Sequence, residues 1–396
     1  MLIMNYSFSQ RISSLQPSAI REILKVTADP SVISLAAGNP SPETFPAKDM
    51  AELAADLFAN RAAEALQYGI SEGYGPLREA TAARLRERFG VGGEDDGLII
   101  VSGGQQGIEM SAKCFADDGD AVLCEEPSFI GALNALRSYG VALKGVPCGA
   151  GGMDIDALEA ILKDTPRVKL IYTIPTFQNP SGATMSLENR RRLLALAETY
   201  DVMVLEDNPY FELRYDGEYV PPLKALDTAG RVIYCGSYSK IIAPGIRLGF
   251  VCAPGAVIAK LTVAKQVADV HSNLFFQMLV HEYITTRDLD GHIEECRQLY
   301  RAKRDRMAAA LSSCGLKFNV PDGGLFLWCE LPGALDSMDF CRRMGKKGVA
   351  AVPGASFLVD ESKASSAIRL NFSLPSMEQI DAGCARLIET LREVAP

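Results

Sequence analysis

Two hydrophobic periods alternate along the first two-thirds of this chain. Stretches such as AELAADLFANRAAEALQY (51–68) and PLREATAARLRERFG (76–90) repeat apolar residues every three to four positions, the period of a helix with one buried face. The second stops at Gly90, a residue suited to a helix C-terminus. Other short runs have continuous apolar centres: GLIIV (97–101), DAVLCEE (120–126), VKLIYTIP (168–175), VMVLED (202–207), RVIYC (231–235) and RLGFVCA (247–253). Between them, QQGIEMSAKCFA (105–116), SFIGALNALRSYG (128–140) and NRRRLLALAETYD (189–201) read as helices. Strands apolar on both faces that alternate with helices predict an α/β architecture, a mostly parallel sheet covered on both sides.

From about residue 255 the pattern changes. AVIAKLTVAKQVADVHS (256–272) and HIEECRQLYRAKRDRMAAALSSCG (292–315) are strongly helical. A strand (GLFLWCELP), a helix from Met338 to Lys347, the short strand GVAAVP, the strand AIRLNFS and a last helix follow. This predicts a smaller α+β domain. The expected division is an N-terminal segment 1–47 packing with the small domain and the active site, a large domain 48–285, and the small domain 286–396. No repeat or low-complexity linker separates them, so close packing is expected.

Composition narrows the class of protein. A chain of 396 residues fits two compact units, and 48% hydrophobic with 22% charged residues is ordinary for a globular enzyme. The formal charge of −9 argues against a nucleic-acid or anionic-membrane partner. Local basic runs, Arg190-Arg191-Arg192 and Arg342-Arg343, read as solvated helix faces. Ten cysteines without a C-x-x-C pair suit reduced thiols in a cytoplasmic protein, and the N-terminus MLIMNYSFSQR does not read as a signal peptide. No apolar run is long enough to span a bilayer. The three histidines lack metal-ligand spacing, so no metal is expected, and no P-loop, dinucleotide fingerprint or G-x-S-x-G elbow occurs.

Ligands of open α/β sheets bind beyond the carboxyl ends of the strands, so the residues after each strand are the candidates. GLIIV is followed by Ser102-Gly103-Gly104-Gln105-Gln106 at the mouth of a helix, where backbone N–H groups can meet an anion. DAVLCEE is followed by Phe129, KLIYTIP by Gln178-Asn179-Pro180, and VMVL by Glu206-Asp207-Asn208-Pro209-Tyr210. RVIYC is followed by Ser237-Tyr238-Ser239-Lys240, with Arg247 seven positions on. Lys240 serves either for its charge, which any surface position would allow, or for its nitrogen, which requires it to be held and partly desolvated.

Together these strand ends offer an anion cradle, an aromatic face, an amide, a carboxylate, a phenol, a lysine and an arginine. Pyridoxal 5′-phosphate calls for that whole set. Its aldehyde needs an amine, its ring nitrogen a carboxylate, its phenolate oxygen a donor, and its phosphate amides, hydroxyls and an arginine.

The ordered motifs Asn179-Pro-x-Gly182, Asp207-x-Pro-Tyr210, Ser237-x-Ser239-Lys240 and Pro244-Gly-x-Arg247 resemble the class I aminotransferases of pyridoxal-phosphate fold type I. The resemblance covers nearly the whole chain. ISLAAGNPSPETFP, ALQYG, VSGGQQGIEM, PDGGLFLW, VPGASF and IRLNFS are similar to the subgroup of 2-aminoadipate (kynurenine/α-aminoadipate) aminotransferases. It implies a large domain with a seven-stranded type of sheet. It also implies transfer of an amino group from an L-amino acid to a 2-oxo acid such as 2-oxoglutarate by a ping-pong mechanism.

The resemblance assigns roles residue by residue. Lys240 matches the lysine that bonds the cofactor and carries the proton, Asp207 the partner of the ring nitrogen, and Asn179 and Tyr210 the donors to the phenolate oxygen. Ser237, Ser239 and Arg247, with the amides of Gly104 and Gln105, match phosphate ligands. The pattern often has serine where Gly104 stands, so one hydroxyl contact is missing here. Phe129 occupies the ring-stacking position, often tyrosine in the family. Arg369 matches the arginine that binds the substrate carboxylate, with Asn179 and Gly38 beside it as substrate contacts. Tyr68 resembles a tyrosine that reaches the partner's phosphate in a homodimer with shared sites. Arg21 lies where the subgroup carries an arginine that meets a distal carboxylate; a charge on an amphipathic N-terminal helix is the other reading. Two further functions use related scaffolds: a cysteine-S-conjugate β-lyase, told apart by its products, and an effector-sensing regulatory domain, against which the acidic balance argues.

Overall fold

The computed structural model describes residues 6–13, 15, 29–360 and 362–394. Arg21 lies outside the described residues. At the centre stands an eight-stranded sheet in the order Asp96–Val101, Gly249–Pro254, Val232–Ser237, Met203–Asp207, Val168–Thr173, Ala121–Glu126, Ala142–Gly149, Gly152–Met153. Pairing is parallel from Val232–Ser237 through to Ala142–Gly149. Gly249–Pro254 runs antiparallel to both its neighbours, and Gly152–Met153 turns back on the far edge.

The apolar runs behave as strands buried on both faces. Cys124, Tyr172, Leu205, Ile233 and Cys235 belong to one core cluster, while Leu123, Ile171, Val204 and Val232 belong to another. Each fully buried aliphatic side chain contributes about 1.5–3 kcal/mol, so alternate residues of every central strand stabilise opposite layers.

Two elements of the sheet's far side escape the apolar pattern. Ala142–Gly149 is an edge-proximal strand whose residues alternate between exposed and partly covered, which leaves no apolar run to read. The eighth strand has only two residues. The sheet is therefore wider than the seven-stranded type expected. Helix Ile155–Asp164, capped by the Asp154 side chain on the amides of Asp156 and Ala157, was likewise not predicted. Nor was Leu274–Thr286, apolar nearly all round and without a polar stripe. The helical stretch 51–68 divides into Ala47–Asn60 and Ala62–Ala65 at Arg61, whose φ of −137° interrupts the turn.

The C-terminal strands form a separate antiparallel sheet in the order Lys317–Phe318, Phe326–Glu330, Ala367–Asn371, Val352–Pro353. Helices Leu289–Leu311 and Met377–Val394 pack on each other beside it. The N-terminal segment runs alongside: Ile33–Ser34 pairs in parallel with Val349–Ala350, and Asn371 N–H donates to the Leu35 carbonyl at 2.7 Å. That path carries the carbonyls of Ala36 and Gly38 toward the large sheet. Among the described residues no helix is long and apolar enough to cross a membrane, and no group of histidine, cysteine and acidic residues could hold a metal ion.

Arg190 corrects the reading of its basic run. It is fully buried, and its guanidinium donates to the carbonyls of Met185 (3.0 Å), Pro221 (3.0 Å) and Pro175 (2.7 Å) and to the Thr176 hydroxyl (2.8 Å). Burial pushes its pKa down to about 10, against the attraction of nearby Glu206. Arg190 thus ties down the Pro175–Thr176 turn that leads to Asn179. Arg190→Ala is expected to lower unfolding stability by about 3 kcal/mol, because it leaves several buried acceptors unpaired; a urea unfolding midpoint equal to the wild type would contradict this role.

Candidate active site

Strand direction decides which side chains can meet. Thr173 pairs with Glu206 and Asp207 with Cys235, so these parallel strands end together at one edge. The reversed strand starts at that same edge, with Gly249 opposite both Ser237 and Val101. Arg247, just ahead of it, is thereby delivered beside the turn that follows Val101.

A cavity of about 410 Å³ opens there. It is lined by Gly38, Gly104, Gln105, Phe129, Asn179, Asp207, Tyr210, Ser237, Ser239, Lys240, Arg247 and Arg369, together with Asn39, Ile108, Ile130, Gly131, Ile174, Pro209 and Pro244. Tyr68 is not among them. It stands 83% exposed, edge-on to the His271 ring at 5.8 Å between centroids.

Asp207 is buried, and its Oδ2 accepts from the Tyr172 hydroxyl at 2.8 Å. Burial raises its pKa to about 6, while the Tyr172 bond and the Lys240 charge pull the other way. Half-buried Lys240 donates from Nζ to the Gly38 carbonyl at 2.8 Å. Desolvation lowers its pKa to about 8, with Arg369 and Arg247 adding repulsion and Asp207 opposing them. Of the two readings open for this lysine, a held and partly desolvated nitrogen is the one the geometry matches.

Arg369 is buried with its plane over the Phe326 ring (4.2 Å) and beside Phe357 (5.0 Å). Its Nη1 donates to Asn179 Oδ1 at 2.9 Å and its Nη2 to the Ala36 carbonyl at 2.6 Å. Its buried Nε has no hydrogen-bond partner. A buried guanidinium with an unmatched donor suits an anionic ligand. Asn179 Nδ2 reaches the Tyr210 hydroxyl at 3.4 Å, so one amide links the arginine to the phenol.

The anion cradle forms at the start of helix Gly104–Phe115, where Gly103 supplies no side-chain cap. The first amides of a helix have no partner within it. Gly103 has φ +84°, a conformation that favours glycine, and a Cβ there would meet Arg247 Nη2 at 2.4 Å and displace that guanidinium from the turn. A Cβ on Gly104 would meet nothing closer than Asp207 Oδ1 at 3.9 Å, so the departure from serine at this position is not imposed by space. The Gln105 side chain donates to the Gly131 carbonyl at 2.7 Å.

Three residues near the site had no place in the sequence reading. Buried Glu125 accepts from Thr173 Oγ1 (2.7 Å), Ile174 N–H (3.1 Å) and Gln178 Nε2 (3.1 Å), and burial raises its pKa to about 7. Lys265 and Asp269 reach the cradle from the helix Gly255–Ala268 and the turn after it. Lys265 and Asp269 lie on a helix and its C-cap, away from the strand ends, whereas Glu125 lies inside the strand Ala121–Glu126 and so precedes the residues that follow that strand. Glu206, next to Asp207, points to the other face and accepts from the Leu223 and Lys224 amides at 3.0 and 2.8 Å.

An amine with a lowered pKa, a buried carboxylate, a helix-start cradle with an arginine and a second arginine with an unmatched donor within one cavity match the donor and acceptor groups of pyridoxal 5′-phosphate and an amino-acid carboxylate. The chain belongs to the class I and II aminotransferases, whose family model matches residues 30–387. It is 41% identical over 393 residues to aromatic-amino-acid aminotransferase 1 of Thermococcus litoralis, covering 98% of this chain and 94% of that one. It is 38% identical over 392 residues to the 2-aminoadipate transaminase of Thermus thermophilus, covering 98% and 96%. Among solved structures, the kynurenine aminotransferase of Pyrococcus horikoshii, in complex with PMP, superposes with a TM-score of 0.94 at 39% identity over 98% of each chain. The protein is therefore an aminotransferase of pyridoxal-phosphate fold type I, and its cofactor is pyridoxal 5′-phosphate.

The lowered pKa of Lys240 has a direct consequence. In the cofactor-free chain, capture of pyridoxal 5′-phosphate should accelerate with pH and level off above about 8, where the amine is neutral. The visible absorbance band that forms on mixing follows this; a rate still climbing at about pH 10 would indicate an ordinary lysine.

Proposed function

We propose that this aminotransferase takes the amino group of an L-amino acid of the 2-aminoadipate, aromatic or aliphatic type and passes it to a 2-oxo acid such as 2-oxoglutarate, in alternate half-reactions. The observation that carries the reading is the convergence of Lys240, Asp207 and Arg369 on one cavity. Relatives named for aromatic amino acids and for 2-aminoadipate support the donor class. When bound, the cofactor supplies an electron sink for the charge left on the substrate's α-carbon. Lys240 Nζ accepts the α-proton, for which it must be neutral. Asp207 would supply the carboxylate that keeps positive charge on the cofactor's ring nitrogen. Asn179 and Tyr210 offer the amide and phenol to the ring oxygen, and Phe129 covers one face. Gly104, Gln105, Ser237, Ser239 and Arg247 hold the phosphate. Arg369 orients the substrate carboxylate, with Gly38 and Asn179 closing the site around it.

The reading extends to assembly. Leu66, Tyr68 and Ile70 are exposed, as are Val263, Val267 and Val270, and the two segments touch through Tyr68 and His271. An apolar surface of this kind suits a second copy of the chain, in which Tyr68 reaches the partner's phosphate. The division into 1–47, 48–285 and 286–396, a cytoplasmic setting and a role for Arg21 at the substrate's distal carboxylate belong to the same proposal.

The test is spectroscopic and kinetic. Visible absorbance of the holoprotein should bleach with L-2-aminoadipate or L-kynurenine and return with 2-oxoglutarate, with glutamate as product; a spectrum indifferent to every amino acid would sink the reading. Asp207→Asn should lower kcat about 100-fold or more. Arg369→Lys should raise the donor KM at least about tenfold, because an ammonium cannot reproduce the fork. Arg21→Ala should erode the preference for 2-aminoadipate over leucine. Sedimentation should give a dimer, and an active monomer would remove Tyr68 from the site.

A further inference from the structure

The cradle turn is held from below by groups that take no part in the cavity. Ser102 N–H donates to Gln106 Oε1 at 2.8 Å, and Lys265 Nζ donates to that same oxygen at 2.7 Å. Gln106 Nε2 donates to Asp269 Oδ2 at 2.9 Å. The Ser102 hydroxyl donates to Asp269 Oδ2 at 2.8 Å and lies 2.9 Å from the Ser272 hydroxyl. Lys265 closes the ring onto Asp269 Oδ1 at 2.7 Å and Oδ2 at 3.0 Å. On its other side, the Ser102 carbonyl accepts from Arg247 Nη2 at 3.4 Å. Ser102 is therefore clamped at its amide, carbonyl and hydroxyl.

Two features show that the clamp is built at a cost. Lys265 is fully buried, and its ammonium is paired with the Asp269 carboxylate. Val270, next to Asp269, has φ +66°, a left-handed conformation strained for a β-branched residue. That turn follows the end of the helix at Ala268, and the Lys265 carbonyl accepts from the amides of Asp269 and Val270. It aims Asp269 at Ser102 and brings Ser272 back to the same hydroxyl. Strain of this sort persists where surrounding bonds over-determine it.

We propose that Lys265 and Asp269 are positioning residues for the cofactor's phosphate. They fix the Ser102–Gly103–Gly104–Gln105 turn so that its amides and Arg247 are set before the phosphate arrives. A preorganised turn loses no further freedom on binding, so the effect falls on affinity for the phosphate and not on affinity for the ring. The proposal rests on the assignment of the cradle to the phosphate.

Comparing pyridoxal 5′-phosphate with pyridoxal, which lacks the phosphate, separates this role from general support of the fold. Both are titrated into the cofactor-free full-length chain and followed by absorbance. Asp269→Asn should weaken pyridoxal 5′-phosphate binding about tenfold, equivalent to 1.4 kcal/mol, and change pyridoxal binding less than about twofold. Ser102→Ala, which removes one hydroxyl from a half-buried position, should act in the same sense about threefold, and it remains informative if Asp269→Asn does not fold. Arg247→Ala is the control. If it lowers the preference for the phosphorylated ligand while neither Asp269→Asn nor Ser102→Ala does, the positioning role is overturned and the cradle stands. If Arg247→Ala also leaves the preference unchanged, the phosphate lies elsewhere and both fall. Equal weakening toward both ligands in Asp269→Asn and Ser102→Ala would reduce Lys265 and Asp269 to structural support.

Discussion

The Asp207 carboxylate sits where a charge is expensive, at the buried end of a central strand, and the site is arranged around keeping it ionised. Burial raises its pKa and favours the neutral form. The Tyr172 hydroxyl bound at 2.8 Å and the Lys240 charge oppose that, and a protonated ring nitrogen opposes it further once the cofactor is bound. Tyr172 can do this because it shares a sheet face with Leu205 and Asp207, two residues apart on the neighbouring strand. Glu206, one residue earlier, faces the opposite layer and finds its partners in the Leu223 and Lys224 amides. Two adjacent carboxylates thus have separate fates through the two-residue period of a strand.

Topology explains why distant motifs converge. Parallel strands end at one edge, so their following loops face each other by construction. The exception, Gly249–Pro254, begins at that edge because it runs backward, which puts Arg247 and the Gly103 turn in contact. Gly249 pays for the crowding with its own side chain: a Cβ there would meet the Gly236 carbonyl at 2.7 Å and the Gly104 amide at 3.0 Å. The small sheet contributes Arg369, and the N-terminal segment contributes the two carbonyls that hold Arg369 and Lys240.

Much of this was legible in the residues after each apolar run, because a strand buried on both faces leaves a strong signal and its end is a defined place. The cavity brings together Lys240, Asp207, Asn179, Tyr210 and Arg369, which lie on segments 190 residues apart at the widest pair bonded. What was not legible has a common physical cause. Ala142–Gly149 and Gly152–Met153 lie at an edge and need no apolar run. Arg190 looks like a surface residue in composition, and the carbonyls of Met185, Pro175 and Pro221 with the Thr176 hydroxyl make its burial tolerable. Lys265 and Asp269 read as a charge pair four apart on a helix, and nothing in their spacing reveals the turn beneath which they sit. Tyr68 is exposed in a single chain, so its part in a site depends on a second copy.

The charges around the cavity also explain the state of its lysine. Arg369 and Arg247 both depress Lys240, and Asp207 alone among the nearby charges raises it. Three cations facing one carboxylate make the site short of negative charge. A phosphate on Arg247 and a carboxylate on Arg369 each cancel a charge that repels the Lys240 proton, so every anionic group that binds makes the amine more basic. The amine is thus easiest to deprotonate before its ligands arrive. Its basicity rises as they bind, when it has a proton to accept. Desolvation by the surrounding wall remains throughout and keeps the amine below an exposed lysine. On the assignment proposed above, the two arginines would recognise the ends of cofactor and substrate and, after desolvation, also lower the strength of the base between them.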